Sequence, residues 1–214
     1  MKIVIMLPAY NEEGSLHKVI SRWRKCCPEG IIVVCDNGSL DNTFDIALRY
    51  SDMVFKEYIK GKGAAVKKIL RNTDADVYVM CDADDTYMPT ERVITPVLED
   101  KYDLVVGNRK YYFNKHHGLF NGLGNRISNI ICKDLLHVNI KDPLSGLRCF
   151  NKRFLKGLKL KNNFEIEAQM ARHCYLHKNL RVGNVDINYK LRVTGVSKLN
   201  AFTDGLGILK SFLC

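Results

Sequence analysis

The residues best equipped for chemistry are Asp82-Ala83-Asp84-Asp85, an acidic run directly behind the apolar stretch 77–81. Two carboxylates at i and i+2, just beyond a buried strand, can share one hard divalent cation that is also bound to a diphosphate. Mg²⁺ or Mn²⁺ takes one or two protein carboxylates and fills its other positions with water and phosphate oxygens. Such an ion would neutralise charge on a departing nucleoside diphosphate. Taken alone, the same pattern also suits a solvated turn that caps the next helix, so its neighbours decide its meaning.

Those neighbours repeat the arrangement. Pro8-Ala9-Tyr10-Asn11-Glu12, Asp36-Asn37-Gly38-Ser39-Leu40-Asp41 and Gly107-Asn108-Arg109 each follow a short apolar run. Open α/β sheets place their ligands at the carboxyl ends of their strands, where these groups would converge. Asp36 suits a base or ribose contact, because a carboxylate can accept two hydrogen bonds at once. Asn37-Gly38 is also a turn signal in its own right, and Asp41 suits a helix cap. Lys60-Gly61-Lys62-Gly63-Ala64-Ala65 opens a helix with small residues and two lysines, a setting in which free amides suit an anion. It lacks the Walker A spacing, so an ATP-hydrolysing loop is not expected.

Positioning these groups requires alternating strands and helices. The pattern predicts strands at 2–7, 31–35, 52–55, 77–81 and 104–106, with helices at 12–25, 42–50, 62–71 and 90–98 between them. Pro96 weakens the last helix. Beyond Arg109 come a long amphipathic segment at 119–136, a loop through Asp142-Pro143-Leu144-Ser145-Gly146, a helix at 164–177 and an extended run at 181–191. The polar stretch 192–198 leads to a final amphipathic segment ending near Leu213. The expected fold is a single α/β domain over 1–214 with a mainly parallel sheet flanked by helices. Its half 1–109 would bind a nucleotide and its half 110–214 would shape an acceptor site.

Composition narrows the partners. With 33 Lys and Arg against 23 Asp and Glu, the chain carries a formal charge of +10, which favours phosphates or an anionic membrane surface. The basic residues are scattered, with no aromatic RNA-binding motif and no zinc-ligand spacing, so a nucleic-acid partner is not expected. The eight cysteines form no CxxC pair, which points to a reducing, cytoplasmic compartment. No apolar run reaches the length of a membrane span, and the N-terminal run ends too soon for a signal peptide, so a soluble or peripheral protein is expected.

The motifs at Pro8 to Glu13, Asp36 to Asp41 and Asp82 to Asp84 resemble those of family 2 glycosyltransferases with the GT-A, Rossmann-like nucleotide-diphospho-sugar fold. Gly107-Asn108-Arg109, Asp142 to Arg148, Phe164-Glu165-Ile166-Glu167 and Arg192 to Lys198 are similar to the dolichyl-phosphate mannosyltransferase and polyprenyl-phosphate glycosyltransferase branch. The resemblance implies that Pro8, Tyr10, Glu12 and Asp36 hold the nucleoside, with Lys62 nearby. Asp82, Ala83 and Asp84 would form the DxD motif, its two carboxylates bridging Mg²⁺ or Mn²⁺ and the diphosphate. Arg109, Arg126, Arg192 and Lys198 would surround an acceptor phosphate. Asn37 stands where the family often has Asp, Asn108 where the branch usually has Ser, and Thr86 where relatives offer a longer metal ligand.

The implied reaction moves a hexose from a UDP- or GDP-sugar to a polyprenyl or dolichyl phosphate, with inversion. The protein would work as a peripheral enzyme at the cytoplasmic face of a membrane, a setting that admits a membrane-anchoring subunit. A phosphate oxyanion is already nucleophilic near neutral pH, so no strong base is required. Asp142 is the first candidate for one, followed by Glu165 and Glu167. A soluble phosphorylated or saccharide acceptor is the alternative.

Overall fold

The computed structural model describes residues 1–109, 127–163, 165–190, 192, 207 and 210–212. A seven-stranded sheet is built from β1 (Ile3–Ala9), β2 (Ile31–Asp36), β3 (Met53–Lys56), β4 (Val77–Met80), β5 (Leu104–Arg109), β6 (Arg148–Asn151) and β7 (Val182–Ile187). Its order is β3-β2-β1-β4-β6-β5-β7, and β6 alone runs antiparallel to its neighbours. The chain therefore winds outward from β1 through β2 to β3, then returns to lay β4 on the other side of β1. The reversal opens a crevice at the carboxyl ends of β1 and β4, where Pro8, Tyr10 and the Asp82 run emerge.

The central strands are apolar on both faces because helices cover both. Ile3, Ile5 and Leu7 pack with Val77 and Val79 on one side, whereas Val4 and Met6 pack with Tyr78 and Met80 on the other. The first face receives α1 (Leu16–Cys26), whose Leu16, Val19, Ile20 and Trp23 repeat at helical spacing. Burying each such aliphatic side chain contributes roughly 1.5–3 kcal/mol. The second face receives α3 (Lys62–Asn72) and α6 (Ile166–Leu176). Further helices among the described residues are α2 (Thr43–Tyr50), α4 (Thr95–Leu98) and α5 (Lys152–Leu155), with a π-helical turn at Ile131–Leu135.

Three elements differ from the sequence expectation. The helix expected at 90–98 divides into a single 3₁₀ turn, Glu91–Val93, and the short α4, which puts Pro96 in the first turn where its missing N–H is harmless. The helix expected from residue 12 begins at Leu16, because Glu12 to Ser15 form a turn closed by Ser15 N and Leu16 N donating to the Glu12 carbonyl at 3.1 and 2.9 Å. Strand β6 was not expected, since its four residues, with Arg148 and Asn151 at the ends, carry no alternating pattern.

A fully buried Asp103 fastens the opposite edge of the sheet. Its carboxylate accepts from Asn151 Nδ2 at 3.0 Å, Arg153 Nη1 at 2.9 Å, and Arg181 N and Nε at 2.9 and 3.2 Å. Burial alone would raise this carboxyl, but the Arg181 side chain and backbone, Asn151 and the Arg153 charge outweigh it and hold it down to about 2, against an ordinary 3.8. A depressed folded-state value contributes stability above the unfolded value, and that stability is lost as pH falls through the folded one. Urea unfolding should show a loss on the order of 2 kcal/mol between about pH 4 and pH 2 that Asp103→Asn removes. An equal acid limb in the variant would show that Asp103 is not its source.

Candidate active site

The Asp82 to Asp85 turn leaves β4 at the crevice. Ser15 Oγ donates to the Ala83 carbonyl at 2.9 Å and so ties the turn to the start of α1. Asp84 accepts from Thr86 N and Oγ1 at 3.2 and 2.6 Å, a local turn that fixes its carboxylate. Asp85 adopts a left-handed φ of 60°, which aims it away from Asp84 toward Arg22 of α1 and Lys190, whose Nζ lies 2.5 Å from Oδ2. The run therefore divides. Asp82 and Asp84 face the crevice, and Asp85 clasps α1 and the segment after β7 to the turn.

Each crevice carboxylate has a cationic partner. Lys62, at the start of α3, pairs with Asp82, and Arg192 lies 3.4 Å from Asp84 while also pairing with Glu12. Burial and the charge of Asp82 push Asp84 up, against the Thr86 hydrogen bonds and Arg192. Burial likewise raises Glu12, with Arg192 and Ser15 opposing it. Among the described residues no three His, Cys, Asp or Glu side chains come together as a ready-made metal site. Two crowded hard-oxygen carboxylates, one of them raised by its neighbour, do fit a divalent ion that draws its other ligands from phosphate and water. Gly146 completes this wall: a Cβ there would sit 2.2 Å from Asp82 Oδ2, so any other residue would displace the Asp82 carboxylate.

Asp36 ends β2 and is buried, with Ser39 N at 3.4 and 3.3 Å from its two oxygens. Asn37 works as a strut. Its Nδ2 donates to the Glu57 and Ile59 carbonyls at 3.0 and 2.8 Å, and its Oδ1 accepts from Gly61 N at 2.7 Å. That accounts for amide chemistry at a position where Asp is common in the family, since a carboxylate cannot donate to carbonyls. Asn37→Asp should cost roughly 1–3 kcal/mol in urea unfolding through the two lost donors; an unchanged midpoint would refute the strut.

The glycines beside Lys62 serve packing. A Cβ at Gly63 would lie 2.2 Å from the Lys161 carbonyl, and Gly63 N and Ala64 N donate to the Asn163 and Asn162 carbonyls at 3.0 and 2.9 Å. The amides expected to receive an anion are thus already occupied by the chain.

On the far side of the crevice, Arg109 and Asp142 form a buried two-pronged pair, Nε to Oδ2 at 2.6 Å and Nη2 to Oδ1 at 2.7 Å. The Arg109 guanidinium also lies 5.3 Å from the centre of the Tyr189 ring. Tyr189 in turn packs edge-on against Tyr87, whose hydroxyl accepts from Gly146 N at 2.8 Å. The residues expected to act separately, one on a phosphate and one as a base, are here each other's partners. Arg192, expected on the acceptor phosphate, lies against Glu12 and Asp84. Arg126 and Lys198 fall outside the described residues, as do 119–126 of the amphipathic segment, Phe164 and 193–198.

The sequence profile named Glycosyl transferase family 2 matches residues 4–158. The chain belongs to that family. This glycosyltransferase is 27% identical over 213 residues to the dolichyl-phosphate hexose transferase of Haloferax volcanii, spanning 99% of this chain and 92% of that one. It is 32% identical to the glycosyltransferase AglJ of the same organism, with 95% of this chain and 68% of that protein aligned. Glucosyl-3-phosphoglycerate synthase of Mycobacterium tuberculosis, crystallised with Mn²⁺, UDP and glucosyl-3-phosphoglycerate, matches at TM-score 0.75 and 19% identity over 99% of this chain and 78% of that one. That likeness is one of fold, and the fold is GT-A.

Several residues of this glycosyltransferase's site carry no local signal in the sequence. Arg22 reads as one more charge on an amphipathic helix, and Tyr87 and Tyr189 as isolated aromatics. Arg148 sits fully buried at the start of β6, its Nε donating to the Ser145 carbonyl at 3.0 Å and its Nη2 to the Pro143 carbonyl. Its one hint was its place at the end of the motif Asp142 to Arg148, whose loop it clamps through the Ser145 and Pro143 carbonyls.

Proposed function

We propose that this glycosyltransferase moves a hexose, with inversion, from a nucleotide-sugar to a polyprenyl phosphate at an anionic membrane surface. The pairing of Asp82 and Asp84 at the sheet's switch point, each held by a cation, carries the donor half of this reading. A divalent cation held by these two carboxylates would supply charge neutralisation to the departing diphosphate. Asp36, at the end of β2 and buried, would accept from the nucleoside, with Pro8, Tyr10 and Glu12 forming the adjoining wall. Lys62 and Arg192 supply positive charge beside the diphosphate position.

The acceptor half rests on the full-length similarity to a dolichyl-phosphate hexose transferase and on the charge of +10. An acceptor phosphate oxygen would form the new bond to the anomeric carbon as the bond to the donor phosphate breaks. Arg109, held rigid by Asp142, and Arg192 would orient that phosphate together with Arg126 and Lys198. Among the described residues no helix is long and apolar enough to cross a membrane. The reading places the protein peripherally at the cytoplasmic face, with room for an anchoring subunit.

The test is a screen of UDP- and GDP-sugars with Mn²⁺ or Mg²⁺, offering a short polyprenyl phosphate and 3-phosphoglycerate side by side. Transfer to the lipid phosphate that stops with EDTA is the expected result. Transfer only to the soluble acceptor would overturn the lipid assignment, and undiminished transfer in EDTA would overturn the metal.

A further inference from the structure

Lys62 is gripped by a carboxylate from each of two elements, the turn after β4 and α6. Its Nζ pairs with Asp82 and lies 2.5 Å from Oε1 of Glu167, in the first turn of α6. Glu167 is itself buried, 6% exposed, with its Oε1 committed to Lys62. It is also the first among the charges that counter the desolvation of the fully buried Arg148. The helix that carries Glu167 thus faces the donor wall with one carboxylate and two cations around it.

We propose that Glu167 is a positioning residue of the donor site, giving Lys62 a second anchor so that Asp82 can be surrendered to a divalent cation. The inference rests on Asp82 being a metal ligand. A cation arriving at Asp82 repels the ammonium already there. With Glu167 in contact, Lys62 yields by a small rotation of Nζ and remains beside the diphosphate position. Without Glu167 the ammonium has Asp82 as its sole carboxylate partner among the contacts described, and it competes with the metal for that group. This assigns Glu167 a different part from that of a base, because its carboxylate is committed to Lys62.

Mn²⁺ binding to the full chain with UDP present, read from the electron paramagnetic resonance signal of free Mn²⁺, tests this without turnover. Glu167→Gln should weaken Mn²⁺ binding by about tenfold or more, the usual scale for groups acting behind a metal ligand. Lys62→Met removes the competitor and should bind Mn²⁺ at least as tightly as the wild type. The double variant should match Lys62→Met, since with no ammonium on Asp82 the loss of Glu167 no longer matters. A purely structural Glu167 would predict no such rescue.

Glu167→Gln within twofold of the wild type, or a double variant as weak as Glu167→Gln, overturns the proposal. Should Glu167→Gln fail to fold, weaker binding in Lys62→Met alone overturns it equally. If the wild type itself takes up no Mn²⁺ with UDP, the metal reading of Asp82 and Asp84 falls. If the wild type binds and Glu167→Gln is unaffected, only the part given to Glu167 falls.

Discussion

Replacing Asp84 by alanine lowers kcat/KM for the nucleotide-sugar donor about a thousandfold, roughly 4 kcal/mol of transition-state stabilisation, while the protein stays folded. The two halves of this expectation have separate causes. The catalytic loss follows from removing one of the two carboxylates proposed to hold a divalent ion. The preserved fold follows from the electrostatics of Asp84, which burial and Asp82 already push toward its neutral form. Removing a crowded, enclosed charge relieves strain between the two carboxylates, and Arg192 keeps its pairing with Glu12. Thr86 loses a local partner, a matter of about 1 kcal/mol. Steady-state kinetics alongside a melting curve would check both halves. A variant that retains more than a tenth of wild-type kcat/KM would remove Asp84 from the chemistry.

The sharp contrast between Asp84 and Asp85 shows how far a sequence can be read. The strand before them was legible because central strands of a parallel sheet are apolar on both faces, and a run such as Val77 to Met80 has few other uses. The carboxylates were legible as a pair because they follow that strand at once. That Asp85 turns away was not legible, since it depends on a left-handed φ and on two cations brought in from α1 and from beyond β7. The same holds for Lys62, whose second partner Glu167 lies 105 residues along the chain, and for Arg192, which meets Glu12 across 180 residues. Such ion pairs leave no periodicity or spacing behind. Single residues could be nominated from their neighbours in sequence, but their pairing is a property of the sheet order. Strand β6 escaped for a related reason: its placement between β4 and β5 gives four unremarkable residues their structure.

The second large effect is on stability, and it bears on whether the enzyme uses a base. Asp142→Ala should cost about 3–5 kcal/mol in urea unfolding, because it leaves a buried guanidinium without the carboxylate that accepts its Nε and Nη2 hydrogens. The double variant Arg109→Met, Asp142→Leu should recover most of that loss, since replacing both charges by apolar groups leaves no uncompensated ion. A solvent-facing base would behave in the opposite way, with a small change in stability and a collapse of kcat. Arg109 supports the first outcome by being enclosed itself, paired with Asp142 and lying over the Tyr189 ring. The proposed acceptor is a phosphate, already anionic, so turnover on it would not require Asp142 to remove a proton. Asp142→Asn then gives the sharper kinetic reading: it keeps one acceptor for Arg109, and its loss of activity should track the loosened arginine, appearing mainly as a higher KM for the acceptor. A loss below 1 kcal/mol in Asp142→Ala, joined to a collapse of kcat in Asp142→Asn, would return Asp142 to the role of base.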